Sequence, residues 1–228
     1  MIKRPSPNFE PRRTDLSVDM LVIHYTGMQG AETALERLCD PAAKVSAHYL
    51  IVEDGTIIRL VAEDMRAWHA GVSSWRGETD VNGRSIGIEL VNPGHEFGYR
   101  PFPEDQMKAL ENLAGDIVTR HSIPPRHVLG HSDVAPGRKI DPGELFDWPR
   151  LARSAIGLWP ELAATTGDLV EKDGEHLLTE FGYAIGETAE TRTAAIEAFQ
   201  RHFRPSRIDG VIDHETLGRL EWLCRHCT

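Results

Sequence analysis

Apolar positions along the chain fall into two kinds of run. "DMLVIHYT", "RSIGIELVN" and "RHVLG" are short, nearly continuous and rich in β-branched residues, the pattern of strands buried on both faces. "SAHYLIVEDGTIIRLV" breaks at Asp54-Gly55 and reads as two strands around a type I′ hairpin turn. Other stretches carry the helical period. Ala34, Leu35 and Leu38 line one side of "AETALERLC". Met107, Leu110, Leu113, Ala114, Ile117 and Val118 line one face of a long helix over Glu104 to His121, opened by Pro103, Glu104 and Asp105. "DWPRLARSAIGLW" predicts a further helix with Pro149 near its start. Strands and helices alternate, so the expected class is α/β: a mixed central β-sheet flanked by helices.

The pattern changes around "LWPELAATTGDLVEKDG", where residues become small and polar. Beyond it there is no strand signal. Three short helices are predicted, near Glu175–Phe181, Thr188–Phe203 and Asp213–Leu223. Two units follow, residues 1–165 and a small helical unit at 166–228. Two Gly-, Ser- or Pro-rich stretches read as loops, "AWHAGVSSWRGETDVNG" and "LGHSDVAPGRKIDPG".

A chain of 228 residues can bury a core without disulfide or metal staples. Its formal charge of −10, with no Lys/Arg-rich run, argues against a nucleic-acid binder or a polybasic membrane anchor. No run approaches the ~18 apolar residues of a membrane span. "MIKRPSPNFEPRRTDLSVDM" carries no apolar signal-peptide core, so a cytoplasmic location is expected, with a periplasmic one as the alternative. Cys39, Cys224 and Cys227 are too few and too odd in number for a disulfide framework and suit a reducing compartment. The terminal "CRHC" reads as a helix end with two free thiols.

Candidate chemistry lies where polar residues interrupt these strands. His24 breaks the aliphatic run of "LVIHYT", Glu89 does the same in "SIGIELVN", and His131 follows "HVL". Burying such groups is costly unless they are paired or ligated. Two histidines and one carboxylate form a ligand set used for catalytic Zn2+, with a fourth position left to water. Lys139 and Asp141 stand two apart, so in an extended segment both side chains point the same way, Asp141 toward a metal and Lys139 toward its open position. Each residue also has a bland reading: His24 as a satisfied core histidine, Glu89 as a buried ion-pair partner, and Lys139 with Asp141 as a surface salt bridge. Spacing in one sequence does not show that the segments converge.

At these residues the chain resembles the zinc-dependent N-acetylmuramoyl-L-alanine amidases of the AmpD-like, type 2 family. The matching elements are "LVIHYTG", "SAHYLI", "DGTIIRLV", "AWHAG", "SIGIELVN" and "VLGHSDVAPGRKIDPG", in the family's order, over roughly Leu21 to Trp159. The resemblance implies Zn2+ on His24, His131 and Asp141, Glu89 as acid/base, and Lys139 as the group meeting the oxyanion. It implies a muropeptide or peptidoglycan-fragment substrate, cut between muramic acid and L-alanine, and the missing signal-peptide core leans toward peptidoglycan recycling. The alternatives are an exported amidase acting on intact peptidoglycan and a non-catalytic recognition protein. The last segment, with "FGY", "AAIEAFQRHF", "DGVID" and "TLGRL", is similar to the three-helix peptidoglycan-binding type 1 domain.

Around the site, Trp68, His69 and Trp75 are candidate walls for sugar or peptide, since apolar sugar faces stack on aromatic rings. His48 is a candidate second-layer or substrate residue, and Arg84 and Arg138 are candidates for peptide carboxylates. The remaining histidines, His95, His127 and His202 among them, show no site pattern and read as surface or packing residues.

Overall fold

The computed structural model describes residues 1–161 and 171–227. The expected boundary at 165/166 lies outside the described residues. In chain order the strands are β1 (Ile2–Lys3), β2 (Phe9–Pro11), β3 (Met20–Tyr25), β4 (Tyr49–Ile51), β5 (Ile57–Arg59), β6 (Met65–Ala67), β7 (Ser85–Leu90) and β8 (Val128–Gly130). The helices are α1 (Ala31–Cys39), α2 (Val81–Arg84), α3 (Gly94–Phe97), α4 (Glu104–His121), α5 (His131–Val134), α6 (Trp148–Arg153), α7 (Glu171–Phe181), α8 (Ala189–Phe203) and α9 (His214–His226).

Six strands form one mixed sheet in the order β1-β5-β4-β7-β3-β8, antiparallel only between β4 and β5. The aliphatic runs form its middle because only a strand covered on both faces can bury every side chain. Along β3, Leu21 and Ile23 point to one face and Met20 and Val22 to the other.

The first face is covered by α4 and α6. Met107, Leu110, Leu113, Ala114 and Ile117 of α4 meet Leu21, Ile23, Ile86 and Ile88. Each of the buried Met, Leu and Ile side chains contributes about 1.5–3 kcal/mol. Buried Gln106 fixes the helix along the sheet, its Nε2 donating to the carbonyls of Ile51 (2.9 Å) and Val91 (3.0 Å). The helix ends at Ser122 in the left-handed region.

The second face is covered by α1, which packs Leu35 and Leu38 on Leu50 and Ile58, and by the C-terminal helices. Leu178, Phe181, Ile196, Phe199, Leu220 and Leu223 share one core with Met20, Val22, Leu129 and Trp75. Helices α8 and α9 are capped by Thr188 and Asp213, which accept the N–H groups of Thr191 and Thr216.

Three local expectations change. The β4–β5 turn closes through Val52 N–H to Thr56 O and Gly55 N–H to Val52 O, with Gly55 alone at positive φ (+82°). A type I′ turn needs two such residues, so this is a three-residue loop ending on a left-handed glycine. The stretch "AWHAGVSSWRGETDVNG" is not all loop, since it holds a Trp75–Glu78 bridge and α2. The stretch after Gly130 starts with one helical turn, α5, before it becomes irregular.

Candidate active site

His24 and Glu89 are register partners on the parallel pair β3–β7, so their side chains leave the same face. Ile23 pairs with Gly130, which places His131 one step beyond the end of β8. Three functional side chains thus sit at the carboxyl ends of three adjacent parallel strands, where open α/β sheets place their sites. Asp141 arrives from the irregular stretch after α5, and the backbone N–H of Ser132 holds its carbonyl at 2.9 Å.

His24 Nδ1, His131 Nδ1 and Asp141 Oδ2 form a triangle with edges of 2.9, 3.0 and 3.1 Å. All three residues are buried, and their ligand atoms form a group able to hold a metal ion. The hydrogen bonds behind them fix where the protons are. His131 Nε2 faces the carbonyl of Ala70 at 3.0 Å, so it carries the hydrogen and leaves Nδ1 bare. Ser85 gives its only hydroxyl hydrogen to the Val81 carbonyl at 2.6 Å. Its Oγ therefore accepts from His69 Nε2 at 3.1 Å. His69 Nδ1 then accepts from His24 Nε2 at 3.0 Å, and His24 Nδ1 is bare as well. Burial, then the neighbouring His131, push the His24 imidazole down to about 4, which keeps it neutral near pH 7.

Three lone-pair donors therefore point at one another with no hydrogen between them. That arrangement is repulsive unless a cation sits among them. Two imidazole nitrogens and a carboxylate oxygen are a Zn2+ donor set, and ligands at about 2.0–2.1 Å in a tetrahedron lie roughly 3.3 Å apart, close to this triangle. The residues fit the ion.

The centre borders a cavity of about 500 Å3, lined among others by Tyr25, His69, Glu89, Arg138, Lys139 and Asp141. Glu89 Oε2 is buried and has no hydrogen-bond partner. Burial, then the charge of Asp141, raise the Glu89 pKa well above the ordinary value, with Lys139 opposing. A carboxyl group with a raised pKa, facing a cavity beside a metal cradle, suits proton transfer. Tyr25 gives the cavity a hydroxyl, 3.0 Å from His95 Nδ1, and His95 Nε2 lies 3.1 Å from Glu144.

The structure therefore brings His24, Glu89, His131, Lys139 and Asp141 to one place. The flanking residues divide. His69 lines the cavity, as expected of a wall residue, and it is also the partner that orients His24. Gly87 makes room for it, since a Cβ there would stand 2.5 Å from the imidazole. Asn82 Oδ1 accepts the N–H groups of His69 (3.1 Å) and Ala70 (2.8 Å), so this dipeptide orients both ligand histidines. Arg138 lines the cavity and is tied to the carbonyls of Ala70 and Val72.

Trp75 is not a wall. It is fully buried, edge-on to Phe181 and Tyr183, and stacking on a ligand would need an open face. Trp68 is half-buried and outside the cavity lining. His48 is fully buried one layer below His69, accepting the Gly87 N–H and facing the Met65 carbonyl, out of reach of a ligand. Arg84 pairs with Asp19 at the opposite end of β3 and β7, where no peptide at the cavity could reach it. His202, read as packing, lies in a buried polar cluster with Asp133 and Tyr183.

A family model described as N-acetylmuramoyl-L-alanine amidase matches residues 14–144. The chain is 39% identical to N-acetylmuramoyl-L-alanine amidase AmiD of Escherichia coli (strain K12), over 90% of this chain and 82% of that protein. It is 36% identical to 1,6-anhydro-N-acetylmuramyl-L-alanine amidase AmpD of Citrobacter freundii, over 64% of this chain and 85% of that one. The structure of the AmiD complex with anhydro-N-acetylmuramic acid-L-Ala-D-gamma-Glu-L-Lys superposes with a TM-score of 0.83, at 37% identity over 97% of this chain and 92% of that one. AmpDh3 from Pseudomonas aeruginosa, in complex with anhydromuramic pentapeptide, gives 0.84, at 34% identity over 97% and 98%.

Proposed function

The chain belongs to the N-acetylmuramoyl-L-alanine amidase family, and from that premise we propose that it uses a zinc centre to hydrolyse the amide between anhydromuramic acid and L-alanine in recycled muropeptides. The observation that carries the reading is the convergence of three bare ligand atoms beside a buried, unpartnered Glu89 on a substrate-sized cavity. The AmiD and AmpDh3 complexes, each with an anhydromuramic peptide, support the substrate class.

His24, His131 and Asp141 would hold the ion. Zinc supplies Lewis acidity, lowering the pKa of water toward ~7 and polarising a carbonyl. Glu89 takes the proton of the attacking water at its free Oε2 and returns it to the alanine nitrogen as the C–N bond breaks. Its raised pKa favours holding that proton between the two events. Lys139, on the cavity wall, meets the negative charge that develops on the carbonyl oxygen. His69 and the Ala70 carbonyl keep both ligand imidazoles in the tautomer that binds metal.

Residues 1–165 are the catalytic unit in this reading and 166–228 a helical unit. A cytoplasmic site of action is favoured by three sparse, unpaired cysteines. Among the described residues no helix is long and apolar enough to cross a membrane. Cell fractionation tests the compartment.

Mass spectrometry of a purified anhydromuramyl tripeptide after incubation tests the reaction. Free peptide beginning with L-alanine, together with the anhydro sugar, is expected. A chelator should stop the reaction and zinc should restart it. Ligand that is bound but uncut would make the chain a recognition protein instead.

A further inference from the structure

We infer that the C-terminal helices are a working part of the metal centre: Tyr183 and His202 are positioning residues that, through Asp133, fix the turn presenting His131. The inference rests on the zinc reading above for its function and on geometry alone for its mechanics.

Asp133 is completely buried. Its carboxyl group has three donors: Gly130 N–H at 2.7 Å, the Tyr183 hydroxyl at 2.6 Å and His202 Nδ1 at 2.6 Å. The first closes the turn on itself. The other two come from the far side of the chain, 50 and 69 residues away. A buried carboxyl group that loses a donor bears the full cost of its desolvation, so it would swing out and take the turn with it.

The turn bears on the two proposed ligands that lie outside the sheet strands. His131 is its first residue. Ser132, its second, holds the Asp141 backbone by the 2.9 Å hydrogen bond noted above. Of the three proposed ligands, only His24 belongs to a sheet strand. The donors are themselves locked. His202 is stacked on Trp148, with ring centres 3.7 Å apart, and on Phe203 at 3.8 Å. Tyr183 packs against Trp75 and Phe199. Rings that exclude water while presenting one polar atom each make a stiff clamp.

The test uses the full chain with Tyr183→Phe and His202→Phe, which keep the rings and remove the donors. Leu220→Ala, at a buried residue of α9 whose side chain has no hydrogen to donate to Asp133, serves as the control. Zinc affinity is read by chelator competition. Hydrogen exchange at the amides of residues 130–135 is read in the metal-free protein. Each clamp variant should bind zinc at least about tenfold more weakly, the range expected for residues that orient ligands, and should exchange faster across the turn. His202→Gln, which can donate again, should recover part of both. Leu220→Ala should lower the melting temperature and leave both readouts near wild type. If the clamp variants behave like Leu220→Ala, the inference is wrong. If the wild-type chain takes up no zinc, the zinc reading fails, and exchange in the metal-free protein still decides the clamp: faster supports it, unchanged overturns it.

Discussion

At the scale of single residues, burial sets the chemistry. Glu89 and His24 are register partners whose pKa values are pushed in opposite directions, and the proposed reaction gives them opposite tasks, proton carrier and metal ligand. Glu89→Gln keeps the shape and removes the base. Its turnover should fall by about 10²–10⁴-fold while zinc content stays at one per chain, read by elemental analysis of the same sample. Lys139→Ala should lower kcat by about 10²-fold or more with little change in KM, because a preorganised donor acts on developing charge. Retained kcat would remove Lys139 from the mechanism. His48 provides a stability readout away from the ligands. Burial, then the Arg12 guanidinium, push its pKa from 6.5 down to about 3. The unfolded chain takes up that proton near 6.5 and the folded chain only near 3. Stability is thus fully present above pH 6.5 and declines as pH falls toward 3, by about 1.4 kcal/mol per unit. In urea unfolding of metal-free protein, wild type should lose about 2 kcal/mol more between pH 7 and 5 than His48→Asn, which retains an acceptor for Gly87.

At the scale of elements, two glycines with the same sequence signal have opposite meanings. Gly87 lies in β7 under the His69 ring, and a Cβ would meet it at 2.5 Å. Gly87→Ala should displace His69, loosen His24 and weaken zinc binding by about 10–100-fold, measured by chelator competition. Gly115 lies inside α4, and a Cβ there meets Ile156 at an ordinary 3.6 Å. Gly115→Ala should stabilise the protein by about 0.5–1 kcal/mol in urea unfolding. Strands β3, β4, β5, β7 and β8 and helix α4 were legible because aliphatic runs and helical spacing report burial directly, whereas β1, β2 and β6, two or three residues each, offered no apolar run to read. His24 and Glu89 showed as polar breaks in those runs. His69 did not show its task, since it comes from a stretch without periodicity and meets His24 across 45 residues. The turn at His131 was hidden by its Gly and Pro neighbours, because its hydrogen bonds come from Asp133 and from distant chain.

At the scale of the whole molecule, the α/β class, the mixed sheet and the all-helical C-terminal region all follow from the order of patterns along the chain. What pattern could not give was the seam. Trp75 sits in a Gly- and Ser-rich stretch that looks exposed, yet its burying partners Phe181 and Tyr183 lie over a hundred residues later. The convergence of the ligands was legible only through family resemblance, since no local property of His24 points to Asp141. That separation has a consequence for the protein's life in a cell. A cation gripped by His24 and Asp141 would act as a reversible staple across 117 residues, and closing so long a loop removes freedom from the unfolded chain. The survival of the chain among proteases should therefore rise and fall with zinc supply, so that scarcity of the ion would thin the enzyme's numbers as well as silence the copies that remain.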